Sequence, residues 1–341
     1  MADATFLDKL STELTANYGG SLSNIVIVLP NKRAKVFLIE ALKRKLNRTI
    51  FAPEIVSIED FIQDVAGIRS IDAIELLFEF YNIYLGLTPK DKQQPFETYA
   101  NWAKTLLQDF NEIDRYLLDP KYVLTYLENI QEIEHWAVDV DKRTTMIANY
   151  LEFWKQLPLY YDALYKHLLE KGVGYQGLIY REAVGNINHF SNAFKKEQLV
   201  FAGFNALNAA EEKIIQHLLS VEQARVYWDI DHAFLNDPYH DAGLFIRRFQ
   251  KEWKQYTTHP FEWIVNEFSQ PKNIKIIGTP KTVGQAKIAG EIIEQIQRGG
   301  QTLDKTALVL GEENLLIPVL YSLPASVGSL NITMGYSSRN N

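Results

Sequence analysis

The sequence predicts an α/β protein, in which parallel strands alternate with helices, a long all-helical block interrupts the sheet, and a second α/β segment begins near the end. Three observations carry this. Short runs without a charged residue, such as 25–29 and 199–203, have the composition of strands buried on both faces of a parallel sheet. Each is followed by a segment with helical spacing of its apolar residues. Between them, residues 71–189 keep an almost unbroken helical period, interrupted at Pro89, Pro95, Pro120, Pro158 and the glycines near 172–177.

In chain order, Phe6, Leu7, Leu10 and Leu14 recur at spacings of three and four, predicting an amphipathic helix over 5–18 that Gly19-Gly20 ends. Residues 25–29 predict a strand closed by Pro30-Asn31, and a basic helix follows to about Leu46. Ile55-Val56 predicts a second strand. Ser57, three residues before Asp60, makes a capping-box-like start for a helix carrying Phe61, Ile62 and Val65. The block that follows reads as five or six helices. Strand character returns at 199–203, then a helix over 209–219, a strand over 224–228 and a helix around 243–253. A fresh unit reads as strand 274–277, helix 283–297, strand 306–310 and helix 315–323. Such alternation makes a parallel sheet the default arrangement.

At 341 residues the chain exceeds one ordinary core, so two domains, or one with a large insertion, are expected. Hydrophobic residues at 47% against 23% charged place it with soluble globular proteins. No apolar run reaches the roughly 18 residues a membrane span needs, and Met1-Ala2-Asp3-Ala4-Thr5 has no basic-then-apolar leader pattern. The expectation is a cytoplasmic chain with no membrane partner. Without cysteine there are no disulfides, no thiolate chemistry and no cysteine-held zinc. The net charge of −7 runs against a protein that grips nucleic acid over its whole surface. DNA contact, if made, must come from a local basic patch or from a partner. The 6 Trp, 18 Tyr and 18 Phe predict a heavily packed interior with aromatics to spare for an interface.

Three clusters invite a chemical reading. Gly172-Val173-Gly174-Tyr175-Gln176-Gly177 matches G-x-G-x-x-G, but a dinucleotide loop needs a strand before its first glycine. Here a helix precedes it, so Gly172 reads as a helix C-cap. Asp229, Asp231, His232, Asp237, His240 and Asp241 follow a strand and could in principle hold a divalent cation. Their spacing matches no standard metal motif, and loop and cap roles account for the same set, so no metal and no cofactor is expected. Lys32, Arg33, Lys35, Lys43, Arg44, Lys45 and Arg48 are opposed by Glu40 alone. Charge by itself fits polyanion contact and a solvated helix face equally well. Position favours contact, because the cluster starts where a strand ends, the edge on which α/β sheets hold ligands. No G-x-x-x-x-G-K-[ST] occurs, so the chain has no P-loop.

Val28-Leu29-Pro30-Asn31-Lys32-Arg33-Ala34 resembles the T-F-T-N-K-A-A segment of UvrD-like superfamily I helicases, which touches single-stranded DNA. Val56-Ser57-Ile58-Glu59-Asp60-Phe61 resembles their T-F-H-S-F segment. Phe201-Ala202-Gly203-Phe204-Asn205-Ala206 resembles the Walker B motif V-D-E-F-Q-D, and Trp228-Asp229-Ile230-Asp231-His232 stands where G-D-x-x-Q would be. Ala202 and Gly203 replace the magnesium-binding Asp and the catalytic Glu, and His232 replaces the nucleotide-sensing Gln. Such a motor without its ATPase resembles the AddB-like subunits of bacterial helicase–nucleases, in particular the Bacteroidetes type of inactivated superfamily I helicase. Asp109-Phe110-Asn111-Glu112-Ile113-Asp114 and Asn331-Ile332-Thr333-Met334-Gly335-Tyr336 also fit that branch.

The resemblance implies a RecA-like (P-loop NTPase-like) first motor domain from 1–68 and 191–265 without Walker A or B, a helical insertion at 69–190, and the start of a second helicase-like domain over 272–341. It implies an N-terminal fragment of a longer protein whose C-terminal PD-(D/E)xK nuclease is absent here, so that this region is not itself an enzyme. The implied role is DNA binding or scanning and subunit scaffolding in double-strand-break repair. The implied partners are single-stranded or duplex-end DNA and an active AddA-like helicase–nuclease subunit. Asn31, Lys32 and Arg33 are the candidate DNA contacts, with Lys35 and Ser57 beside them. The competing expectation is a protein-interaction scaffold that never touches nucleic acid.

Overall fold

The computed structural model describes residues 4–46, 49–134 and 145–333. Arg48, Met334-Gly335-Tyr336 and the 135–144 stretch of the expected insertion lie outside them. The chain divides into two compact units, 1–270 and 271–341.

The first unit begins with α1 (Phe6–Tyr18), β1 (Ile25–Leu29), α2 (Lys32–Lys45), β2 (Glu54–Ser57) and α3 (Ile58–Ala66). A helical layer follows: β3 (Arg69–Ser70), α4 (Ala73–Leu87), α5 (Phe96–Arg115), α6 (Pro120–Glu134), α7 (Thr145–Glu170), β4 (Val173–Gly174) and α8 (Gln176–Ala193). The chain then returns through β5 (Gln198–Ala202), α9 (Ala209–Ser220), β6 (Ala224–Asp231), α10 (His232–Asn236), α11 (Leu244–Glu252) and β7 (Glu262–Val265). The α/β class expected from strand–helix alternation is observed, and the main sheet is parallel throughout, in the order β2-β1-β5-β6-β7.

The alternation of side chains along each strand explains the layering. Ile25, Ile27, Leu29, Val200, Ala202 and Tyr227 face one side, where Leu10 and Leu14 of α1 and Leu38 and Leu42 of α2 cover them. Val26, Val28, Leu199, Phe201, Val226 and Trp228 face the other, under Phe61 of α3, Ala183 of α8, Ile214 of α9 and Phe249 of α11. Both faces are apolar because both are covered, which is why these strands read as continuous hydrophobic runs.

The helical layer has its own core, with Phe80, Tyr99, Phe110 and Leu164 fully enclosed. It joins the sheet through a two-strand neck: β3 pairs with β4 in parallel, and the Ile71 amide donates to the Gly174 carbonyl at 3.0 Å. Helix α8 serves both cores. Its Leu178 belongs to the helical layer, while Ile179 and Ala183 pack on the sheet.

The second unit has α12 (Thr282–Arg298) and α13 (Leu316–Ser322), packed through Ala286, Gly290 and Ile293 against Leu315, Leu316 and Val319. The strands expected at 274–277 and 306–310 are not formed: neither segment has a ladder partner among the described residues. A strand is defined by its neighbour's hydrogen bonds, so an apolar run cannot make one alone. Ile276 and Val309 are exposed. The sheet also gains β7, a four-residue edge strand that the sequence reading left out, and β6 runs three residues further than expected. Among the described residues no helix is long and apolar enough to cross a membrane.

Candidate nucleic-acid interface

Four strand ends stand side by side along the carboxyl edge of the main sheet. β2 ends at Ser57, β1 at Leu29, β5 at Ala202 and β6 at Asp231, in that spatial order. Val28 is in register with both Val56 and Phe201, so the ends of β2, β1 and β5 lie level, while β6, paired at Tyr227 with Ala202, runs on to Asp231. From β1 the chain leaves toward β2, and it later re-enters on the opposite flank as β5. That reversal creates a crevice outside β1 and β5, the position where open α/β sheets bind ligands. A cleft of about 400 Å³ lies there, lined by Phe6, Pro30, Asn31, Phe37, Gly203 and Asp229 among others.

Helix starts dominate the local geometry. Asn31 is the N-cap of α2, its side-chain oxygen accepting the Ala34 amide at 3.0 Å. Ser57 is the N-cap of α3 and is buried. Its hydroxyl accepts the Asp60 amide at 3.2 Å and donates to Asp60 Oδ2 at 2.8 Å. Lys32 is exposed and pairs with Asp60 Oδ1 at 2.9 Å. The Lys32 ammonium is held above its ordinary value by the Asp60 carboxylate, and Asp60 is held below its own, first by Lys32 and then by Ser57. Arg33 and Lys35 are exposed and make no ion pair among the described residues. Further along α2, Lys43 pairs with Glu40 at 2.7 Å and Arg44 with Asp8 at 2.7 Å.

Of the five residues expected to meet DNA, two therefore present a solvated, unpaired charge, and three are engaged in caps or an ion pair. The sequence reading missed Phe37. Spaced with Ala34, Leu38 and Ala41 on the apolar stripe of α2, it should be buried, yet it is 59% exposed at the cleft mouth, beside Val36 at 61%. Phe37 stands one helical turn after Arg33, so that flank of α2 carries an exposed cation and an exposed ring, with Lys35 on the other side of the helix.

Where the sequence resembles a Walker B motif, β5 ends at Ala202 and Gly203 follows. Gly203 adopts φ +79°, and a Cβ there would stand 3.3 Å from the Phe6 ring, so α1 packs closely against the strand end. Asp229 lines the same cleft, its carboxyl raised by partial desolvation. Asp231 is buried and accepts the Ala233 amide at 2.9 Å and the Phe268 amide at 2.8 Å. His232 contacts Asn236, Asp237 accepts the Tyr239 amide, and His240 Nδ1 accepts the Ala242 amide. These are turn and cap roles, and among the described residues no three acidic or imidazole side chains converge on a metal-sized point.

A second cleft of about 770 Å³ opens along the same edge between the sheet and the helical layer, with Arg115 and Tyr116 on one wall and Phe245 and Arg248 on another. Helix α9 presents its first turn here. A capping box serves its Asn208 and Glu211 amides and sets the Glu211 carboxylate at that helix start. Compared with known proteins, the chain matches no family model, and no curated protein matches it.

Proposed function

We propose that this chain is the ATPase-inactive, RecA-like helicase region of a cytoplasmic DNA-break-processing subunit, holding single-stranded or duplex-end DNA and scaffolding an active AddA-like partner. The reading rests on one observation above others: the four segments that resemble superfamily I helicase motifs lie at the carboxyl ends of four adjacent parallel strands, along one edge of the sheet. A parallel sheet brings every strand-to-helix turn to this edge, and the four turns that carry these residues are neighbours on it. In this reading Arg33 and Lys35 meet backbone phosphates, Phe37 offers a face for a base, and Asn31 and Ser57 shape the two strand-to-helix turns. Aromatic rings beside cations are what a sequence-tolerant single-strand site requires.

Nucleotide hydrolysis is not part of this proposal. Phosphoryl transfer needs a backbone cradle, a lysine and a carboxylate-held magnesium ion to neutralise charge building on the phosphates. The β1 approach carries α1 in place of a phosphate loop, and the β5 end carries Ala202 and Gly203 in place of carboxylates.

A protein-only scaffold is the second reading, favoured by the net charge of −7 and by the acidic partners that neutralise Lys32, Lys43 and Arg44. A titration of single-stranded DNA at low and at moderate salt separates the two. Binding should weaken with salt. Arg33→Ala with Lys35→Ala should flatten the dependence of log affinity on log salt by roughly 1.4, since each phosphate contact on a single strand contributes about 0.7. Absence of binding at low salt would leave the scaffold reading standing alone.

A further inference from the structure

Asp60 stands between two of the candidate contacts. Its two carboxylate oxygens span Lys32 Nζ at 2.9 Å and the Ser57 hydroxyl at 2.8 Å, so one side chain on the first turn of α3 engages two of the five candidate DNA contacts. The seam between α2 and α3 is not basic in three dimensions. Glu59 and Asp64 flank Asp60 on α3, and the Asp64 carboxyl is pushed up by burial and by the nearby Glu54 and Asp60 charges. Yet the Lys32–Asp60 pair stands in solvent, with the lysine side chain 71% exposed and the aspartate 40%. Exposed pairs of this kind are weak enough for a stronger ligand to separate.

Resting on the DNA-contact reading above, we propose that Asp60 is an internal competitor for strand phosphate at Lys32, so that single-stranded DNA recruits Lys32 only by displacing this carboxylate. Arg33 and Lys35, which have no such partner among the described residues, make the first contact. Lys32 joins when a phosphate replaces Asp60, and until then the chain shows a smaller basic patch than its sequence carries. Asp60 acts here as a positioning residue, setting which cations are available.

The test is a double-mutant cycle on the full chain, using fluorescence anisotropy of a labelled oligothymidylate across a salt series. Asp60→Asn keeps an oxygen for the Ser57 hydroxyl, so the start of α3 is retained. Asp60→Ser removes the same charge by a second route. Either change should tighten binding by about two- to fivefold at low salt, the range an exposed ion pair spans, and steepen the salt dependence by roughly 0.7. In a Lys32→Ala background the gain should vanish. Equal tightening with and without Lys32 would overturn the inference, because Asp60 would then act only as a general negative charge. Binding by the parent chain with no change in either Asp60 variant would also overturn it, while leaving the DNA reading intact. Failure of every variant to bind at low salt would overturn the DNA reading and this inference with it.

Discussion

Asn111 and Gly177 account for two sequence patterns at once. The Asn111 side-chain oxygen accepts the Gly177 amide at 2.7 Å, and a Cβ on Gly177 would lie 2.2 Å from the Asn111 carbonyl oxygen. Helices α5 and α8 therefore cross at backbone contact. This is the reason for the last glycine of the G-x-G-x-x-G match. Gly172, at φ +66°, ends α7 as its C-cap reading expected, and Gly174 leaves room for Leu178. None of the three faces a phosphate. Gly177→Ala should destabilise the protein by about 1–3 kcal/mol, the ordinary cost of overpacking, read as a shift in the denaturation midpoint. An unchanged midpoint would mean that the helices do not approach so closely. The same scale separates the candidate contacts. Charge and position were legible for Arg33 and Lys35. The partner of Lys32 was not, because Asp60 reaches it across 28 positions of chain, a distance no local pattern encodes. Phe37 was hidden for the opposite reason: its helical spacing pointed inward, and only the crevice beside it leaves the ring uncovered.

At the scale of elements, the motif 109–114 works as a clasp. Asp114 at the end of α5 is fully buried and accepts from Tyr161 of α7, from Tyr175 just before α8, and from Arg181 Nε of α8 at 2.6 Å. Arg181 also donates to the Leu118 carbonyl at 2.6 Å. Burial pushes the Asp114 carboxyl up against the pull of these donors, and it raises both tyrosines well above their usual range. A buried charge is tolerated only when its partners are complete. Asp114→Ala should accordingly cost about 3–5 kcal/mol by stranding Arg181, measured by chemical denaturation, and a loss below about 1 kcal/mol would contradict a closed network. Its location also argues for structure over ligand contact. The clasp joins three helices of the insertion near the neck where that layer meets the sheet, so the strength of this motif in the sequence reflects packing between elements.

For the whole molecule, the central expectation concerns what the carboxyl edge does not do. Purified chain should show no magnesium-dependent ATP turnover above a mock preparation. Sustained turnover that follows the protein through purification would refute the inert-motor reading, since neither β1 nor β5 carries the groups that hold phosphates and metal. By itself the sequence determined the α/β class, the parallel character of the main sheet and its helical interruption. Strands buried on both faces, and helices with a wet side, write their environment into residue type and spacing. It also determined the cap at Ser57, because a cap involves residues three apart. Only the tertiary structure decided the strand order, the level alignment of the β2, β1 and β5 ends, the pairing of Lys32 with Asp60 and the exposure of Phe37. It also decided that 274–277 and 306–310 form no ladder among the described residues. Each of these depends on which distant segment lies alongside, and contact between distant segments is selected by the packing of the entire chain, which no window of sequence contains.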